Sequence, residues 1–72
     1  MDKQILDFVV FCVENVAEHL SLNGAEVYCL LSERSGILDD YIIAHYDVLH
    51  TQGKEYIVND LVEYMKKEGL LK

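Results

Sequence analysis

Two histidines, an aspartate, a threonine and two tyrosines crowd the run HYDVLHTQGKEY, from His45 to Tyr56. These are the residue types of metal sites and of acid–base catalysis. A zinc site needs three or four ligands converging tetrahedrally, drawn from Cys, His, Asp and Glu. His45, Asp47 and His50 offer three, but none of the usual Cys and His spacings is present, and Cys12 and Cys29 sit far off in apolar patterns. His50 with Asp47 has the makings of a base and its orienting carboxylate, with Thr51 or Tyr56 as nucleophile or acid. A helical chain of 72 residues leaves little room for a substrate pocket of roughly 300 Å³ or more. Each residue also has a backbone task. Thr51 can cap the helix that follows. Asp47 can bond turn amides, Leu49 can plug the core, and Gly53 can admit a close approach. On this reading the chain is no enzyme and holds no metal or cofactor. The residues left over for a partner are His50, Gly53, Lys54, Tyr56 and Tyr64.

The elements that must hold these residues are helices. The first spans Lys3 to Leu20, with Asp2 as its N-cap. A one-sided helix needs three or four apolar positions per two turns. This one is apolar nearly all round, from Ile5 through Val16. Either it is a central helix covered on several sides, or one flank faces another chain. The second helix starts at a capping box, Asn23 with Glu26, and a staple of Leu22 on Val27. Its buried face is expected to be Ala25, Val27, Tyr28, Leu30 and Leu31, with Gly36 as its stop. The third is short, Ile37 to Ala44, capped by Ser35, with Asp39 and Asp40 in its first turn. After the polar connector His45–Thr51, the fourth runs from Gln52 to Glu68. Ile57, Val58, Leu61, Val62 and Met65 form its buried stripe. Gly69 ends it, and Leu70 folds back on Met65. The expectation is all-α, a four-helix domain over residues 1–72 with the first helix as hub.

Charge narrows the partners. The chain carries −7, and no base lies between Lys3 and Arg34, while Asp7, Glu14, Glu18, Glu26 and Glu33 do. Nucleic-acid binding rests on Lys and Arg at phosphates. The second and third helices, read as a helix-turn-helix, would present ILDDYIIA to DNA, which is acidic and apolar. Nucleic acid and anionic membrane surfaces are therefore not expected partners. No apolar run reaches the ~18 residues of a membrane span. The start, with Asp2 and Lys3, lacks a secretory layout. Two cysteines in apolar helical patterns read as buried free thiols, so a reducing cytosol is expected. Five tyrosines against two phenylalanines and no tryptophan give rings that bury one side and wet the other. Tyr56 and Tyr64, on one helix side, are the surface anchors expected from this.

Three stretches, ILDFVVFCVENVA, GILDDYIIAHYDVLHTQGKEYIVNDL and MKKEG, carry a resemblance that covers the whole chain. It resembles a family of small all-helical bacterial domains of unknown function. The resemblance transfers no catalytic residues. It implies a protein partner, because such domains are associated with neighbouring genes for proteins similar to ADP-ribosyltransferases, in the manner of a toxin and its small antidote. The residues themselves leave a second role open, a homodimer formed through the first helix.

Overall fold

The computed structural model describes residues 2–71, and five helical segments occupy them. The first, α1 (Lys3–Leu20), opens where the Asp2 carboxylate accepts the Gln4 amide at 3.2 Å. Its valines do not prevent a helix, because acids and amides fall between them at helical spacing. Lys3 reaches Asp7 one turn on, at 3.0 Å. Both are exposed, so the pair adds no more than about 0.5 kcal/mol.

α1 closes in a Schellman turn. Leu22 N–H donates to Ala17 O at 2.9 Å and Ser21 N–H to Glu18 O at 3.3 Å. The turn needs a left-handed residue, and here it is Ser21, at φ 58°. A side chain in that region costs energy that glycine does not incur. Ser21→Gly is therefore expected to stabilise the fold by about 0.5–1 kcal/mol, read as a higher urea midpoint with unchanged slope. A lower midpoint would show that the serine is held there by something other than the turn.

The capping box at the start of α2 (Gly24–Ser32) forms as expected. Glu26 N–H donates to Asn23 Oδ1 at 2.8 Å. The reciprocal bond runs from the Asn23 side-chain amide to Glu26 Oε1, at 2.9 Å, rather than from its backbone. Gly36 is not the stop. α2 already ends at Ser32, and no left-handed residue follows it. Instead the Ser35 hydroxyl donates to the Leu30 carbonyl at 2.9 Å, supplying a donor the ended helix lacks, and accepts from Ile37 N–H at 3.3 Å. One hydroxyl thus closes one helix and starts the next.

α3 (Leu38–Ile43) is a turn of π-helix. Its wider turn suits the sequence. Ile37 and Ile42, five apart, are both buried, and Leu38 and Ile43, also five apart, both meet the core. The connector is not irregular. It contains α4 (Tyr46–Leu49), a one-turn helix whose Leu49 is buried. The last helix, α5 (Lys54–Lys67), ends as the sequence predicts. Gly69, at φ 74°, takes the left-handed turn, and Leu70 N–H donates to Met65 O at 3.0 Å.

α1 is the hub, packed against α2, α3 and α5. The stripe Ile57, Val58, Leu61, Val62 and Met65 of α5 is buried. Val16, Val27, Leu31, Leu61 and Met65 are fully enclosed. Among the described residues no polar or charged side chain is buried. Apolar burial alone therefore fills the interior, at about 1.5–3 kcal/mol for each large side chain. No helix of the described residues is long and apolar enough to cross a membrane.

Candidate functional site

The residues expected to face a partner spread over the start of α5 and its flanks. His50 is exposed and stacks flat on Tyr46, with ring centroids 4.4 Å apart. Its Nδ1 lies 2.7 Å from the Tyr46 carbonyl, which can only accept, so Nδ1 carries the proton. Tyr46 in turn meets Phe8 edge-on at 5.4 Å, and Phe8 lies beside Phe11 at 6.2 Å. This aromatic row ties the connector to α1.

Thr51 does not cap α5. Its hydroxyl turns back and donates to Val48 O at 2.7 Å, a carbonyl that also accepts the Thr51 N–H at 3.3 Å. Gly53 occupies the N-cap position, without a side-chain bond. Nor does Gly53 admit a close approach, since a Cβ there would meet nothing within 4 Å. Asp47 stands exposed in the first turn of α4, where its charge suits the helix dipole. No side-chain bond from Asp47 to the turn is formed. His45 leans on Tyr41, at 5.4 Å, rather than towards His50. Among the described residues, no three His, Cys, Asp or Glu side chains are grouped to hold a metal ion.

Of the two tyrosines expected as anchors, only Tyr56 is free, with 55% of its surface exposed. Tyr64 is half-buried, set edge-on against Tyr41 at 5.0 Å. Tyr41 donates its hydroxyl to the Asp60 carboxylate, a bond that joins α3 to α5. Burial, first, and that carboxylate, second, push the Tyr41 phenol up to about 12. This group reads as a structural clasp.

Lys54 lines a cleft of about 500 Å³ between α1 and α5. Asn15, Glu18 and His19 form one wall, and Glu55, Val58 and Asn59 the other. Only Val58 among these is buried. The cleft is a wet groove without a shielded acid or base.

The surface that sequence reasoning located only in outline lies on α1. Leu6, Val10, Val13 and Ala17 share one face, at i, i+4, i+7 and i+11. Val13 and Ala17 are 8% and 5% exposed, but Leu6 and Val10 are 48% and 45% exposed. α2 packs against α1, with Gly24 3.8 Å (at an added Cβ) from Val13. Tyr28 lies one turn along α2 from Gly24. It is 48% exposed, not inward as the spacing predicts. Phe11, 36% exposed, lies apart from this stripe, across the row Asp7, Glu14 and Glu18 and beside Phe8.

The comparisons with known proteins bear on the whole of this arrangement. The profile of a family described as "Protein of unknown function (DUF3791)" matches residues 7–68. No curated protein and no solved structure matches the chain.

Proposed function

The chain belongs to that family of unknown function, and from this premise we propose that it is a non-catalytic protein-interaction module. One observation supports the reading above others. Two large apolar side chains, Leu6 and Val10, stand bare on successive turns of the hub helix. Tyr28 on α2 is a further exposed ring. A chain this small has every reason to bury such a patch internally, and a contiguous bare one marks a contact surface. The aromatic and aliphatic composition is that of interface centres. The partner in this reading is an ADP-ribosyltransferase-like protein, neutralised by the bound module. It is named by the resemblance to domains encoded beside such proteins, and the acidic surface, at net charge −7, suits a basic face on it.

The test is co-expression with the neighbouring gene product. Co-purification at micromolar concentration and rescue of its toxicity are the expected results. A neighbour that neither binds nor is restrained removes the partner. A chain that runs as a dimer at high dilution, with no affinity for the neighbour, replaces this reading with the homodimer.

A further inference from the structure

Deepening that reading, and resting on it, we infer what the partner presents and where. The bare half of the α1 stripe receives an amphipathic helix whose flank carries lysine or arginine. On this stripe Val13 and Ala17 are buried, while Leu6 and Val10, on its N-terminal half, are bare on successive turns. An apolar helix face laid on such a stripe is a common mode of peptide recognition.

Charge selects the kind of helix. Asp7, Glu14 and Glu18 line the outer side of the stripe, at i, i+7 and i+11, and all three are exposed. Lys3, the base at its head, is already engaged by Asp7 at 3.0 Å. No lysine or arginine follows before Arg34, and His19 stands in the last turn of α1. A helix lying on Leu6 and Val10 must run along these carboxylates, so lysine or arginine on its flank is favoured and glutamate is repelled. A second copy of this chain brings the same carboxylates and a charge of −7, and is disfavoured on that ground.

The test uses two short helical peptides of identical leucine spacing, one with lysine and one with glutamate at every polar position. Each is titrated into the isotope-labelled full chain and followed by amide NMR. The leucine–lysine peptide is expected to shift Leu6 and Val10, with an affinity that falls as salt rises. The leucine–glutamate peptide is expected to shift none of them. Val10→Glu should weaken the first peptide by about tenfold or more. The paired reversal Asp7→Lys with Glu14→Lys should do the same. All three positions are exposed, so circular dichroism should show each variant folded. Shifts confined to the α1–α5 cleft or to Tyr56 overturn the proposal. So does equal binding of the two peptides, or a mass showing a second copy on the stripe. Co-purification of Val10→Glu with the neighbouring gene product, undiminished, overturns this docking site and leaves the module reading standing. Stripe shifts without any captured neighbour support the site and overturn only the named partner.

Discussion

Leu61→Ala is expected to lower the melting temperature by roughly 10–30 °C and to leave much of the chain unfolded at 37 °C. Leu61 is fully enclosed, in the middle of the α5 stripe that faces the hub. Truncating such a leucine loses its transfer energy and opens a cavity, together about 2–5 kcal/mol. A chain of 72 residues has a total stability of roughly 4–11 kcal/mol. One side chain thus carries a large share of the whole. Among the described residues the interior lacks buried polar groups that could re-pair and both cysteines are free, so no disulfide restrains the unfolded chain. The control is Tyr56→Ala, which removes a ring that is 55% exposed and should cost less than about 0.5 kcal/mol. Thermal unfolding followed at 222 nm by circular dichroism (wavelength about that of helix absorption) compares them. A fall below about 5 °C for Leu61→Ala would mean that the α1–α5 contact is not the one described.

The second large effect is alkaline unfolding between pH 9 and pH 12. Burial raises the Cys12 thiol from its ordinary 9.0 to about 12. Burial and the Asp60 carboxylate raise the Tyr41 phenol from 10.0 to about 12. In both cases the folded value lies above the unfolded one. The stabilisation is therefore fully present below the unfolded values. It begins to be lost above pH 9 and is gone once pH passes the folded values, because the unfolded chain releases protons that the folded chain keeps. The share of Cys12 is on the order of 3–4 kcal/mol by the top of that window. Urea titrations at steps across it should give a flat stability to about pH 9 and then a steady decline. Cys12→Ala should start from a lower stability, through lost packing, yet show a shallower decline. Tyr41→Phe should flatten the upper part of the slope. An unchanged slope in Cys12→Ala would mean that the thiol ionises as readily folded as unfolded.

The fold was legible where local chemistry decides it. Asn23 with Glu26, and Gly69 with Leu70, are complete local signals, and both structures formed as read. The α5 stripe followed from spacing alone. Local signals that compete were misread. Thr51 and Gly53 are both suitable N-caps, and the place is taken by Gly53, while the Thr51 hydroxyl donates back to the Val48 carbonyl. Gly36 looked like a stop because glycine often is one, while Ser35 did the work two helices needed. The Tyr41–Asp60 bond joins residues with no local relation, so no spacing announces it.

The candidate surface shows the same division. That α1 is too apolar for one face was plain in its sequence, and the need for a second cover followed. Which flank is bare was not plain, because that depends on where α2 lies. Tyr28 illustrates the limit. Its spacing places it with Val27 and Leu31, but the axis of α2 is rotated enough to enclose those two and expose the ring.

An unfinished cover on the hub helix also has a consequence for the lifetime of the chain. A helix supplied by another protein would bind the folded form and find no site on the unfolded one. At a free concentration one hundred times its Kd it would add about 2.7 kcal/mol to the folding free energy. For a chain of this size that is a substantial fraction of the total. Partner-free copies would then be the ones that open most often and meet proteases most often. The abundance of the chain would follow the supply of its partner by mass action alone, with no separate sensor.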